Sequence, residues 1–397
     1  MSVPAFPPEL DEQIIDHLHL DKPALAVCAL VCQSWMYSSR YHLFGSLLLR
    51  GDAWGRLIQL LESPRVTFVP YIRDLVLSGC DDNKNLNQHI PQLPTFPSLA
   101  RLRMSHLAWT DLSPSATEPF LQAFSATTNL TLHFVKFSTI RELVELVSGL
   151  PRLQQITIVA TFLDKSNPDF GTHPPVAHAL TDVSFRTGPG RAGDSYEAFI
   201  SWLKSSSSRI HALHLGALRG ATLPAVSQLL HSLGPSLEDL DLSLLYRVPA
   251  GASSSSLLPR ISTRFMTSGN RHLSSNTHLR RLGIHVSLRR FHLVRGPMNT
   301  PWALLSAVRS PLATLTIELT VDAVVVLDNM DWNCLNTTLL GGEQFRGLRR
   351  LEFIVVLLNE GDEEGALEAG IRARVPELDA RGIVEVVQKN PGWGEAS

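Results

Sequence analysis

The chain repeats one short pattern of apolar and polar positions. In PSLEDLDLSLL, residues 235–245, Leu237, Leu240 and Leu242 form L-x-x-L-x-L, and Glu238, Asp239 and Asp241 fill the gaps. The last two leucines straddle a polar residue, the period of a strand with one face buried. Copies centre on Leu75, Leu102, Leu130, Ile156, Val183, Leu213, Leu240, Leu282, Leu315 and Leu351, at separations of 27, 28, 26, 27, 30, 27, 42, 33 and 36 residues. The third copy departs from the pattern, with Thr127 in place of its first apolar residue.

Between these strands the apolar spacing turns helical. Leu143, Leu146, Val147 and Leu150 share a face, and Ser138 or Thr139, four or three residues ahead of Glu142, is a helix start. The spacing predicts helices over 53–63, 118–126, 139–150, 195–204, 224–234, 301–309 and 365–374. Strand then helix at a near-constant period is the signature of a leucine-rich-repeat solenoid, an α/β fold with parallel strands on its concave face and helices on its convex face. The array is expected over 50–390, as about ten or eleven degenerate repeats, with a mobile tail at 391–397. Residues 79–97 read as a loop, 248–276 as a Ser/Gly-rich insertion with a short helix at 257–265, and 383–387 as a last edge strand. Leucine-rich repeats commonly carry Asn or Cys five residues beyond the second leucine. Here that position is Cys80 once, and Leu107, Val135, Thr161 or Leu245 elsewhere.

Residues 6–44 break the repeat. FPPELDEQIIDHL reads as a helix. Pro7 and Pro8 stand where a missing N–H costs least, Glu9, Asp11 and Glu12 suit the positive helix end, and Leu10, Ile14, Ile15 and Leu18 share a face. Asp21 and Pro23 then start a second helix, ALAVCALVCQSWMYSS, apolar on most sides and so in need of burial or a partner. SRYHLFGSLLL closes a three-helix unit over 4–49. So short a unit has a marginal core and should lean on the array, on another protein, or on both.

These residues resemble the F-box, closest to the expanded fungal F-box families. Phe6-Pro7-Pro8-Glu9-Leu10 answers to Leu-Pro-x-Glu-Leu, Leu30-Val31-Cys32-Gln33-Ser34-Trp35 to Leu-Val-Cys-x-x-Trp, and Leu43-Phe44 to a closing Leu-Trp-like pair. Phe6 and Phe44 replace the family's Leu and Trp. The resemblance implies docking on a Skp-type adaptor of a cullin–RING (SCF-type) ubiquitin ligase. Pro7, Leu10, Ile14, Leu25, Val31 and Trp35 are the implied adaptor contacts, some of them serving instead as core. The repeats would then hold a target protein, and the chain itself would catalyse nothing. The alternative is a ligase-independent scaffold whose first helices only cap the array.

Composition narrows the function further. With 44% hydrophobic and 18% charged residues the chain is globular, and a formal net charge of −2 gives no electrostatic footprint for nucleic acid. The N-terminus has no basic, apolar leader, and no apolar run is long enough to span a bilayer, so a cytoplasmic or nuclear protein without membrane contact is expected. Four cysteines read as reduced thiols. Gly188-Pro-Gly190-Arg-Ala-Gly193 matches a dinucleotide-phosphate loop, but no acidic residue closes the next strand, so it is read as an inter-repeat loop. Cys28 and Cys32 lack enough partners for a metal site, and no cofactor is expected. The carboxylates of LEDLDL read as exposed strand positions.

Function should lie at the polar strand positions. Arg103, His133, Arg186, His214, Asp241, His285, Glu318 and Glu352 are the candidates for a partner-binding concave face. Basic residues dominate its first half and, His285 apart, acidic ones its second. A groove of that polarity would select a partner of complementary polarity.

Overall fold

In the computed structural model the chain folds as two compact units, Met1–Leu180 and Thr181–Ser397. The structure describes residues 8–389 apart from 52, 64–65, 80–83, 160–161, 166–178, 187–192, 207–208, 219–221, 245–272, 288–299, 322–323 and 358–364. The glycine motif up to residue 192, the helix expected at 257–265 and the tail lie outside the described residues.

The first unit begins with three helices, α1 (Pro8–His17), α2 (Lys22–Cys28) and α3 (Gln33–Phe44). Asp21 caps α2 by accepting from the Ala24 N–H, as its position before Pro23 predicts. The second helix does not run on as one piece. Leu30 and Val31 turn back onto the carbonyls of Val27 and Cys28, and Cys32 is extended, with φ −158° and ψ 172°. An apolar run without a polar face leaves a helix no side suited to water, and the chain breaks here into two helices. After the break, α3 lies against α1 and α2, with the small Ser39 fully buried.

The array follows as strand and helix in alternation. Strands β1 (Ser46–Arg50), β2 (Asp74–Ser78), β3 (Arg101–Ser105), β4 (Asn129–His133) and β6 (Gln155–Val159) pair in parallel, in that order. A two-stranded parallel ribbon, β5 (Lys136–Thr139) with β7 (Phe162–Lys165), stands apart from them. β1 comes from the segment expected to close the helical unit: SLLLR pairs in register with DLVLS, so the sheet starts there. Residues 79–97, expected as loop, hold a short helix at Lys84–His89. Thr139 caps the helix Ile140–Ser148 by accepting from the Glu142 N–H, and the Glu142 carboxylate reaches back to the Ser138 N–H at 2.8 Å.

The second unit holds seven parallel strands in chain order: β8 (Asp182–Arg186), β9 (Ala212–Leu218), β10 (Asp239–Leu244), β11 (Arg281–Ser287), β12 (Thr314–Val321), β13 (Arg350–Leu357) and β14 (Val384–Lys389). Every strand read from the repeat is present in one unit or the other. In both, the repeat leucines and their substitutes are the buried side of the strands. Leu75, Leu102 and Leu130 in the first unit, and Leu240, Leu282 and Leu315 in the second, are at most 1% exposed. Helices such as Gly193–Ser206, Leu223–Leu233 and Thr300–Ala307 connect successive strands, and Phe199, Trp202 and Trp302 fill the core beneath them. Where such repeats commonly ladder Asn or Cys, Leu107 and Val135 are simply buried apolar residues.

Asn276 holds the widest spacing of the array in place. It is fully buried, and its side-chain amide donates to the carbonyls of Leu230 and Gly234, each at 2.9 Å. Those carbonyls belong to the end of the helix Leu223–Leu233, where carbonyls lack partners within the helix. The Leu230 carbonyl also accepts from the Gly234 N–H, so Asn276→Ala should remove both amide bonds, leave the Gly234 carbonyl without its donor and cost on the order of 1–3 kcal/mol, read as a lower urea midpoint at unchanged slope.

Candidate functional site

Register decides which side chains meet. On β9 to β12 the residues alternating with the core leucines form an open side, and there the chain interleaves two imidazoles with two carboxylates. His214 stands opposite Asp241, which stands opposite Gly283; one pleat further along, His285 stands opposite Glu318. The Asp241 carboxylate leans diagonally over Gly283 to reach His285. A Cβ at Gly283 would lie 2.8 Å from Asp241 Oδ1, so only glycine leaves the path open. His285 Nε2 is 2.7 Å from Asp241 Oδ1, His285 Nδ1 is 3.2 Å from Glu318 Oε1, and His214 Nδ1 is 3.5 Å from Asp241 Oδ2. The four side chains are each about a quarter exposed, 22–27%. Asp241 Oδ1 and His214 Nδ1 lack a well-aligned hydrogen bond, so charge rather than direction holds these pairs.

The electrostatics follow from that packing. Burial works to depress the pKa of His285, but Asp241 and Glu318 outweigh it and push it up to about 9. Burial would raise both carboxylates, yet the histidines hold Asp241 and Glu318 below the usual carboxylate range. Contact with Asp241 raises His214 against the cost of burial. His285 is thus an imidazolium at neutral pH, a poor base and a fixed charge. Ser184 stands opposite His214, which completes a hydroxyl–imidazole–carboxylate row with Asp241, but Ser184 is only 7% exposed and is not presented to a substrate. Among the described residues, no group of three or more His, Cys, Asp or Glu is placed to hold a metal.

All eight residues expected on the recognition face lie on the open side of their strands. Arg103 and Arg186 are exposed, while His133, His214, Asp241, His285, Glu318 and Glu352 are half-buried. The expected acidic half is not a row of solvated carboxylates. Asp239 binds Arg281, Asp241 and Glu318 bind histidines, and Glu352 accepts from Thr316 at 3.2 Å and from Arg350 at 3.0 Å. Arg350 also reaches Glu385 at 2.7 Å. The carboxylates of LEDLDL, expected as exposed, are therefore half-buried at Asp239 and Asp241, because pairing removes the reason to face water.

The N-terminal helices present a different surface. Among the described residues, eight of the twelve exposed large hydrophobic side chains fall between Leu10 and Tyr41. They include Leu10 and Ile14, one turn apart on α1, and Val27, Leu30 and Val31 around the break after α2. Of the expected contacts, Leu10, Ile14 and Val31 are exposed at 42, 41 and 60%, Trp35 is half-buried, and Pro7 lies outside the described residues. Leu25 is corrected: it is fully buried and serves as core with Ile15. Leu20, Val27 and Leu30, not among the expected contacts, are more exposed than any of the expected ones that the structure describes. The unit is also tied to the array. Phe44 stacks on Phe68 at 4.8 Å, Arg73 lies 3.8 Å over the Tyr41 ring, and the Gly45 carbonyl accepts from the N–H groups of Arg73 and Asp74.

The ladder sets a pH dependence. A histidine raised in the folded state contributes stability that is complete below about pH 6.5 and lost as pH rises through about 9. The lowered carboxylates contribute above their ordinary range, near pH 4, and lose that contribution in acid. Between pH 6.5 and 9.5 the urea-unfolding free energy should fall, and His285→Gln should remove about 1–3 kcal/mol of that fall. Gly283→Ala should push the Asp241 carboxylate aside and bring the His285 pKa back toward 6.5 in an NMR titration of the ring protons.

No protein-family model matches the chain, and no curated protein matches its sequence significantly.

Proposed function

We propose that the chain is a substrate receptor of a cullin–RING ubiquitin ligase, with α1 to α3 docking on a Skp-type adaptor and the repeat strands receiving a target protein. The concentration of exposed apolar side chains in α1 to α3 carries this reading. Burying large apolar side chains on association is a main source of binding free energy, and clusters of them at a surface mark interaction sites. Leu10, Ile14 and Val31 stand at matching positions of the F-box resemblance, and Leu20, Val27 and Leu30 widen the patch. The parallel strands supply an open side lined with polar and charged groups, suited to recognising a second protein. The receptor would act by holding a target's lysines at high effective concentration near the ligase. Among the described residues, no helix is long and apolar enough to cross a membrane.

One observation favours a second reading. Phe44, Tyr41 and Gly45 fasten the helices to the start of the array, as a capping unit would be fastened. On that reading the protein is a ligase-independent scaffold.

Co-expression separates the two. The chain should co-purify stoichiometrically with a Skp-type adaptor. Leu10→Asp with Ile14→Asp, or Val31→Asp alone, should abolish co-purification while leaving the thermal unfolding transition in place. A folded wild-type chain that ignores the adaptor would make the helices a cap.

A further inference from the structure

β14 ends the second unit's run of parallel strands, and its outer edge is lightly guarded. It pairs with β13 in unbroken register, from Leu351 opposite Val384 to Val356 opposite Lys389, with no bulge or proline. Sheet edges invite a further strand, and bulges, prolines and covering elements are the usual protection. Here cover reaches the start of the strand, where Arg372 Nη1 lies 3.4 Å from the Val384 carbonyl. Among the described residues no strand lies beyond β14.

The ladder fixes which backbone groups face outward. The Leu351 N–H donates to the Ile383 carbonyl at 2.8 Å, so the odd-numbered residues of β14 turn their N–H and C=O groups to β13. Val386 and Gln388 turn theirs away from it. Of the side chains, Val384 is buried, whereas Glu385, Val387, Gln388 and Lys389 are exposed. On the open side Val387 stands opposite Ile354, and Val356 lies one pleat on, so this side turns apolar towards the edge. One pleat back, the Arg350 guanidinium lies between two carboxylates, 3.0 Å from Glu352 and 2.7 Å from Glu385. One guanidinium against two carboxylates leaves a negative charge over.

We propose that two copies of the chain associate through β14, the edge strands pairing antiparallel about a two-fold axis at Val387. An axis normal to the sheet turns a strand into an antiparallel copy of itself with the same residues on the same side. With the axis at Val387, Val386 and Gln388 of one copy meet Gln388 and Val386 of the other as hydrogen-bonded pairs, as their outward groups require. Val387 meets its own counterpart in a non-hydrogen-bonded pair, where side chains come closest. Ile354, Val387 and their counterparts then form one apolar row across the junction. On either side of that row Glu385 meets Lys389 of the second copy, and the lysine supplies the charge that the Arg350 cluster lacks. Centring the axis on Val386 or on Gln388 would instead set Val387 against Glu385 or Lys389, so charge and apolarity agree on one register. Lysine on an edge strand ordinarily discourages pairing. Here the acid that accepts it lies on the same strand and is brought round by the axis. The dimer stands without the receptor reading; on that reading it joins two open sides into one longer recognition face.

Sedimentation equilibrium of the full chain tests the proposal. A single pair of six-residue strands buries less than a standard interface, so the dissociation constant should be on the order of 10 μM. Val387→Lys should abolish the dimer by setting like charges against each other at the axis, and Lys389→Glu should weaken it at least about ten-fold. Leu10→Asp with Ile14→Asp should leave it unchanged, so loss of adaptor docking and loss of self-association stay distinct. Val387→Cys reads the register directly. Under mild oxidation it should give a disulfide-linked dimer, because Cα atoms of a non-hydrogen-bonded pair lie about 4.5 Å apart, within disulfide range. Glu385→Cys should not, its two copies being roughly 13 Å apart along the strands. The wild-type chain, with its own four cysteines, sets the background. Every variant should keep the wild-type thermal unfolding transition. A chain still monomeric at about 200 μM, a dimer indifferent to Val387→Lys, or Glu385→Cys cross-linking as readily as Val387→Cys would overturn the proposal. So would a dimer formed only after residues 391–397 are removed, which would assign the edge to the chain's own last segment.

Discussion

A parallel strand that buries only one of its faces must place every second residue in the core, and that constraint orders this molecule. Leu240 and Leu242, or Leu102 and Met104, have no freedom to do anything else. The residues between them are then held at fixed heights on the opposite side, beside the equivalent residues of the neighbouring strands. Chemistry on the open side is therefore a matter of columns. What a histidine does there depends on which residue the next strand places at its level or one pleat away.

Two histidines show how far this goes. His133 and His285 occupy comparable open-side positions, one on β4 and one on β11. Beside His133 stand Arg103 and His106, and its proton affinity falls; between Asp241 and Glu318, that of His285 rises, so that it is a cation at neutral pH. The same side chain is thus half of a repulsive cluster in one unit and the middle of a neutralising ladder in the other. The ladder gives the second unit internal cohesion at the expense of charge available to a partner. The strands β1 to β4 and β6 hold a single carboxylate, Asp74, which Arg101 binds.

The strands were readable because each repeats an apolar spacing, and the buried side followed from it. β1 was hidden because Leu47, Leu48 and Leu49 run together and give no alternation. The break between α2 and α3 was hidden for the same reason, since residues 24–32 are almost wholly apolar and show no polar face whose loss would mark an end. Identifying the open-side residues was within reach of the sequence, but their pairing was not. Asp241 meets His285 only because Gly283 leaves room for a diagonal contact, and that depends on register between strands 42 residues apart at Leu240 and Leu282. Leu25 looked like a contact because it is apolar on an apolar helix. Which side of such a helix is inside is set by its neighbours.

The double hydrogen bond of Asn276 has a consequence for how this chain can vary. It anchors the residue just ahead of β11 to the end of the helix Leu223–Leu233, independently of how many residues lie between Leu244 and Leu273. Closing a longer loop between two points already fixed adds little entropy cost, since each doubling of length costs only about 0.6 kcal/mol. Residues can thus be gained or lost in that stretch over evolutionary time without shifting β11 by a single position, and the charge ladder that depends on its register stays intact.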